Sequence, residues 1–230
     1  MKGANSGVAA YERLRHAIMR LELAPGAAVS EAQLVEGFGF SKAVVRAALA
    51  RLRAEGLVIA EPRRGHVIAP LTMRDVLEIY ELRLLLEPPA TEAAAGRIER
   101  DELARLEALA EPAVDFDDAE SLERFLLANR AIHLAIAEAA DNRRAARILE
   151  RLLDDSERAR RLALRAGAAR RGVRARDELQ LVLAELAAGH GPRAAEVMDA
   201  TIRAFRDELV ESLQRAALDM PLSGLAATSG

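Results

Sequence analysis

Three basic side chains recur at helical spacing within one short segment of the sequence. They are Lys42, Arg46 and Arg53, and at about 100° per residue they fall within about 40° of one another on a helix. Ammonium and guanidinium groups arranged in a row can bind phosphate oxygens and donate to base edges in a DNA groove. A solvated helix face is the ordinary alternative, so the neighbouring elements must decide between the two interpretations.

The helix that carries this basic row is predicted to follow another short helix across a tight turn. Ser30 and Gln33 form a capping-box pattern, Gly39 suits the left-handed residue after a helix, and Ser41 is a typical N-cap. The second helix has an apolar stripe at i, i+3, i+4 and i+7, formed by Val45, Ala48, Leu49 and Leu52. A Gly-containing turn between two such helices is typical of a helix-turn-helix module.

Two further elements complete this module. The apolar spacing predicts a first helix over about 9–22, and the runs 57–60 and 66–69 predict a β-hairpin, or wing, with two arginines at its tip. No other strand is predicted. We therefore expect a winged helix-turn-helix domain of three helices and a small hairpin, ending at residue 70.

The remainder of the chain has helical periodicity throughout, which makes the fold class mostly α. Residues 71–220 are predicted to form an all-α bundle of about six helices, and the Ser/Gly/Ala-rich segment 221–230 a disordered tail. After a helix that begins near Thr72, the predicted helices lie near 99–110, 118–140, 142–166, 170–189 and 191–217.

Composition limits the function classes. Hydrophobic residues make up 51% of the chain and aromatic residues only 3%, which suits helices packed on helices. The absence of cysteine excludes disulfides and Cys-based zinc sites. No apolar run approaches the ~18–20 residues of a membrane span, and the N-terminus lacks a secretory signal pattern. A soluble cytoplasmic protein is therefore expected. The net charge is −3, but residues 1–70 carry ten basic and six acidic residues, which gives +4 there and −7 elsewhere.

The motifs of both parts resemble those of a known family. Ser-Glu-x-x-Leu at 30–34, Ser-Lys-x-x-Val-Arg at 41–46 and Glu-Gly-Leu-Val at 55–58 resemble the winged helix-turn-helix of GntR-type transcription regulators. Tyr-Glu-Leu-Arg at 80–83 is similar to the opening of the all-helical FCD effector domain of the FadR branch.

This resemblance implies a homodimer that binds a pseudo-palindromic operator and responds to a small metabolite, commonly an organic acid. The usual Arg-Thr-Pro of the recognition helix is Lys42-Ala43-Val44 here. Because Lys is a point donor, bidentate reading of guanine should be lost, which predicts an unusual operator or weaker specificity. The implied DNA-binding residues are Ser41, Lys42, Arg46, Arg53, Arg63, Arg64, Gly65 and His66.

The resemblance also implies a position for a metal, and there this sequence departs from the family. Many such effector domains hold a metal with one Asp and three His. The corresponding residues here are Asn129, His133, Leu179 and Thr201. One strong ligand remains, whereas zinc or nickel needs three or four converging N, O or S ligands. We therefore predict no bound transition metal and no other cofactor.

The same positions face inward on the helical pattern, together with Arg83 on the opening helix. We expect an effector site for an anionic or polar molecule, formed by Arg83, Asn129, His133 and Thr201. The alternative is that His133 and Asn129 satisfy each other and nearby backbone groups in a core that has lost its ligand.

Other function classes find less support. The sequence has no nucleophile elbow, Gly-rich phosphate loop or HExxH motif, and its carboxylates are expected on outer helix faces, so an enzyme is not predicted. An interaction protein that binds DNA weakly or without specificity is the second hypothesis, because of Lys42-Ala43-Val44. An arginine-rich stretch is predicted to be a solvated helix pair, or alternatively to line the path of DNA or of an acidic partner. It consists of Arg158, Arg160, Arg161, Arg165, Arg170, Arg171, Arg174 and Arg176.

Overall fold

The structure, a computed structural model, describes residues 2–62, 65–111, 114–115, 118–165 and 172–218. The chain forms two compact units, Met1–Thr72 and Met73–Gly230. The predicted tail at 221–230 lies outside the described residues. The elements of the first unit are α1 (Lys2–Met19), β1 (Ala28–Val29), α2 (Glu31–Phe38), α3 (Lys42–Ala54), β2 (Val58–Glu61) and β3 (Gly65–Ile68).

Local capping sets the turn between α2 and α3. The Ser30 hydroxyl accepts from the Gln33 amide (3.2 Å), and the Gln33 side chain accepts from the Ser30 amide (2.9 Å), so the predicted capping box is confirmed. Gly39 takes the predicted left-handed backbone, with φ 72°. Ser41 is the N-cap of α3 as predicted, but its hydroxyl makes no capping hydrogen bond. Its role at this position is therefore conformational.

The sheet of this unit contains a strand that the sequence analysis missed. Its order is β1-β3-β2, with Ala28 paired to Val67 and Ile59 also paired to Val67 from the other side. The expectation that the wing holds the sole strands is wrong. A two-residue strand is too short to show alternation, and its pairing comes from tertiary contact with β3.

An apolar core holds α1 and α3 together. The stripe predicted for α3 is buried as expected, and Leu14 and Ile18 of α1 pack in the same cluster. At the edge of this core the Tyr11 hydroxyl donates to the Glu55 carboxylate at 2.8 Å, and the Arg51 guanidinium lies 3.5 Å from the centre of the Tyr11 ring. These contacts fix the orientation of α3, so that its basic side faces away from the core.

The described residues of the second unit form six helices joined by short connections and contain no strand, as predicted. Its core includes Tyr80, Leu106, Ile132 and Leu149. Helix α4 packs along α9 and against α6 and α7, while α8 packs against α9 and α5. No helix in the described part of the chain is long and apolar enough to cross a membrane. The helices are α4 (Met73–Ala94), α5 (Arg100–Ala110), α6 (Ala119–Ala139), α7 (Arg143–Arg165), α8 (Gly172–Ala187) and α9 (Gly191–Leu218).

Candidate nucleic-acid interface and effector cavity

The basic row of α3 lies on the exposed side of its unit. The side chains of Lys42 and Arg46 retain 68% and 61% of their accessible surface, and Arg53 is also exposed. The buried apolar stripe of α3 lies beside this row on the helix. The helix therefore presents cationic groups on a surface from which a duplex could be contacted.

An acidic residue of α2 occupies part of this row. The Arg46 Nε donates to both oxygens of Glu31 at 2.8 Å, and Lys42 Nζ lies 4.0 Å from Glu31. The hydrogen bond from Arg46 holds the pKa of Glu31 below its ordinary value, and Glu31 in turn raises the pKa of Arg46. Sequence analysis missed Glu31, although its place in the first turn of α2 signals a residue beside α3.

The predicted wing residues are only partly described. Arg63 and Arg64 lie outside the described residues. Gly65 has φ 78° and begins β3, where a β-carbon would lie 3.7 Å from the carbonyl oxygen of Val29. His66 follows in the same strand, and its Nδ1 is buried without a hydrogen-bond partner among the described residues. The structure thus places Gly65 and His66 at the hairpin, beside β1.

In the second unit, a buried network joins α4 to α6. Arg83 Nε donates to Glu87 Oε1, and Glu87 Oε2 lies against His133 Nδ1, both at 2.5 Å. The exposed fractions of these three residues are between 2% and 4%. Carboxylates were expected on outer helix faces, and Glu87 is an exception that the i, i+4 spacing from Arg83 could have indicated.

Electrostatics define the charge of each group in this network. Burial alone would raise the pKa of Glu87, but Arg83 and then His133 outweigh burial and lower that pKa to about 2. Burial lowers the pKa of His133, and this outweighs the opposite effect of Glu87. At neutral pH Glu87 is therefore a carboxylate and His133 a neutral ring that donates from Nδ1, which leaves Nε2 as an acceptor.

These contacts change the expected roles of the effector residues. Arg83, expected to offer its guanidinium to a bound carboxylate, is paired with Glu87 of its own chain. His133 bonds to Glu87, and Asn129 Oδ1 is buried without a partner among the described residues, so the idea that His133 and Asn129 satisfy each other is wrong. Thr201 Oγ1 is likewise buried and unbonded within the described chain.

The donor set at these positions does not fit a transition metal. His133 uses Nδ1 for Glu87, Leu179 has no donor atom, and Asn129 and Thr201 are weak neutral ligands. The described residues contain no group of three or more His, Cys, Asp or Glu that could hold a metal ion.

A cavity of about 460 Å³ lies between α5, α6 and α8. Phe125 and Asn129 of α6 line it, together with Leu179 of α8, and most of the remaining wall is Ala, Leu, Ile and Val. Arg105 and Arg124 also border it, but each is exposed and lies near carboxylates of its own helix or cap. The cavity is thus of the size and apolarity of a small-molecule site.

The arginine-rich stretch is only partly the solvated pair that was expected. Arg158 is 3% exposed, with Nη1 3.7 Å from Asp155. Arg161 is 12% exposed and binds Glu123 at 2.7 Å. Their aliphatic stems and paired heads belong to the interior of the bundle. The side chains from residue 165 to residue 176 lie outside the described part of this stretch.

Comparison with known proteins identifies the family. Residues 7–68 match bacterial regulatory proteins of the gntR family, and residues 78–204, more than half of the chain, match the FCD domain. The chain therefore belongs to the GntR family of bacterial regulatory proteins, with an FCD domain as its second part. The resemblance drawn from the motifs and the mostly α fold class are both confirmed.

Similar proteins have regulatory names. An uncharacterised HTH-type transcriptional regulator of Bacillus subtilis, YdhC, is 31% identical over 145 residues, which are 63% of this chain and 65% of YdhC. The transcriptional regulator McbR of Escherichia coli is 29% identical over 123 residues, 54% of this chain and 56% of McbR. These names agree with the prediction that the chain is not an enzyme.

Solved structures share the fold. A protein described as a GntR transcriptional regulator from Rhodococcus sp. RHA1 superposes with a TM-score of 0.72 at 20% identity, over 89% of this chain and 97% of that one. The structure of E. coli McbR superposes with a TM-score of 0.67 at 24% identity, over 87% and 96% of the two chains.

Proposed function

We propose that this protein is a DNA-binding transcription regulator whose operator affinity is set by a small molecule bound in its helical domain. Residues 1–70 form the DNA-binding domain, and residues 71–220 form the effector-binding and dimerisation domain. The observation that carries the proposal is the exposed basic row of α3, on a helix whose adjoining apolar stripe is buried. The protein acts in the cytoplasm as a homodimer, without a transition metal.

DNA is bound in the major groove by α3. Lys42, Arg46 and Arg53 contact phosphates and base edges, while the wing, with Arg63 and Arg64, reaches toward the minor groove. Glu31 accepts the Nε hydrogen bond of Arg46, which leaves the Nη donors of the guanidinium for DNA while Glu31 offsets part of its charge. Phosphate contacts supply most of the affinity, so binding should weaken steeply with salt.

Regulation follows from the two states of a dimer. Two recognition helices must reach successive major grooves, about 34–36 Å apart. An effector that binds one arrangement of the helical domains better than the other shifts the dimer toward that arrangement, and operator affinity changes by the difference in its binding energy. The cavity bordered by Asn129 is the place where such a molecule can be enclosed.

Fluorescence anisotropy with a labelled duplex from the protein's own upstream region tests DNA binding. We expect nanomolar affinity at physiological salt and about 10³-fold weaker binding to a scrambled duplex. Arg46→Ala should weaken operator binding at least about tenfold. Arg193→Ala is the matched control, because Arg193 is also an exposed arginine paired with a glutamate, Glu196 at 2.8 Å. Unchanged binding by Arg46→Ala would mean that α3 is not the recognition helix.

The second hypothesis, an interaction protein with weak or non-specific DNA binding, rests on Ala43 and Val44. Neither residue can donate a hydrogen bond to a base from its side chain. Equal affinity for the upstream and scrambled duplexes would support this hypothesis and contradict the regulator.

A further inference from the structure

Arg160 of α7 is a cation deep in the helical domain without an ion-pair partner in the described structure. Its guanidinium carbon lies 4.4 Å from the centre of the Phe205 ring and 5.7 Å from that of Phe125. The carboxylate three residues earlier, Glu157, bonds instead to Arg161, with Oε1 2.7 Å from Nη2. Although Arg160 lies deep in the domain, part of its side chain remains accessible. Its guanidinium therefore lies beside Phe125, which also lines the cavity between α5, α6 and α8.

The environment of Arg160 compensates its charge only in part. Burial and the positive charge of Arg83 lower the pKa of Arg160, and together they outweigh Tyr80 and Glu157, which raise it. An arginine keeps its proton even so, and a buried cation without a counter-ion is costly. A bound anion would remove that cost.

Three buried polar atoms without partners in the described residues lie on the helices around Arg160. They are Tyr80 OH on α4, Asn129 Oδ1 on α6 and Thr201 Oγ1 on α9. Asn129 is one turn after Phe125, and Thr201 is one turn before Phe205, so both stand beside the rings that contact Arg160. Buried polar groups are normally hydrogen-bonded. Several unbonded polar atoms around one cation therefore indicate that a ligand binds there.

The charges of Arg160 and its buried neighbours determine the charge that a ligand should carry. Arg83 and Glu87 cancel each other, and His133 is neutral, which leaves the single positive charge of Arg160. One negative charge balances it, and a second would be buried without a partner. The adjoining cavity is lined mostly by apolar side chains and shares Phe125 and Asn129 with this cluster. Its volume of about 460 Å³ lies in the range of small-molecule sites.

We propose that Arg160, rather than Arg83, anchors the effector, and that the effector is a monocarboxylate with an apolar body. The proposal rests on the effector site of the proposed function and specifies its ligand. The carboxylate binds the Arg160 guanidinium and accepts from the hydroxyls of Tyr80 and Thr201. The amide of Asn129 contacts the ligand where the cluster meets the cavity, and the apolar body occupies the cavity.

Calorimetric titration of the full-length protein, without DNA, tests this assignment. The probes are hexanoate, octanoate, decanoate and phenylacetate, each compared with its carboxamide. We expect at least one carboxylate to bind about 30-fold or more tightly than its amide, because the amide leaves Arg160 unpaired. Succinate should bind more weakly than the best monocarboxylate. Equal binding of acid and amide, or no binding by any of the probes, would overturn the proposal.

Three variants of α7 make the test specific. Arg160→Gln should weaken binding of the best carboxylate at least about 30-fold, and Arg160→Lys should weaken it less. Arg151→Gln, at an exposed position of the same helix, should leave the affinity unchanged. Retained affinity in Arg160→Gln would overturn the assignment of the anchor. If Arg160→Gln fails to fold, the comparison of acid with amide on the unaltered protein still decides.

The titration is independent of the DNA experiment. A carboxylate that binds through Arg160 supports the anchor even if the upstream duplex is not recognised. Specific DNA binding without any carboxylate binding would support the proposed function as a regulator and contradict the assignment of Arg160 as the effector anchor.

Discussion

Replacing Glu87 by Gln should destabilise the helical domain strongly, although the two side chains have nearly the same shape. Glu87 accepts from Arg83 and His133, and it is 3% exposed. A pKa lowered from 4.5 to about 2 corresponds to about 3 kcal/mol of stability at 1.36 kcal/mol per unit. The cost of removing one partner from a buried ion pair is similar, about 3–5 kcal/mol. We therefore expect a loss of about 3 kcal/mol, or about 6–12 °C in Tm.

The pH dependence of this loss has a definite sign. Because the folded-state pKa of Glu87 is depressed, its stabilisation is fully present above the unfolded value of 4.5 and disappears as the pH falls toward about 2. The difference in unfolding free energy between the unaltered protein and Glu87→Gln should therefore be constant above about pH 6.5, where His133 is neutral, and it should shrink below pH 4.5 as Glu87 is protonated.

Urea unfolding followed by far-ultraviolet circular dichroism measures these differences. Glu81→Gln is the matched control, since it makes the same change at an exposed position of the same helix, and its effect should be within about 0.5 kcal/mol. The reasoning is refuted if Glu87→Gln loses no more stability than Glu81→Gln, or if the two curves stay parallel below pH 4.5.

Three further substitutions test other contacts. Glu31→Gln frees Arg46 from its ion pair and should raise affinity for non-specific duplex about fivefold in the anisotropy assay; unchanged affinity would mean that Glu31 does not compete with phosphate. Gly191→Ala would place a β-carbon 2.8 Å from the carbonyl oxygen of Glu92 and should cost about 1–3 kcal/mol in urea unfolding. Gly37→Ala, in helical backbone with open space around it, should instead stabilise by about 0.5–1 kcal/mol, and equal effects at the two glycines would contradict the close packing.

Elements with strong local signals could be predicted from the sequence. The capping box at Ser30 and the left-handed Gly39 are set by neighbouring residues, and the stripe of α3 by helical spacing alone. The strand Ala28–Val29 could not be predicted, because β3 provides its hydrogen bonds from a distant part of the chain.

The polar interior was harder to predict for the same reason. Arg83 and His133 were expected to face inward, and they do, but Glu87 had been assigned to an outer face because carboxylates usually lie there. Arg160 had been grouped with solvated arginines. Its contacts with Phe125 and Phe205 depend on the packing of three helices, which spacing along α7 does not reveal.

The short strand β1 has a mechanical consequence. It ends at Val29, directly before Ser30, the N-cap of α2. Two backbone hydrogen bonds link the segment before it to β3: the Gly26 amide donates to the Ile68 carbonyl, and the Ile68 amide donates to the Ala27 carbonyl, each at 2.9 Å. The hairpin is thereby linked to the N-terminus of α2, the helix that precedes α3. A displacement of the hairpin away from a DNA minor groove would therefore also displace α3. The DNA contacts of the hairpin and those of α3 should be lost together.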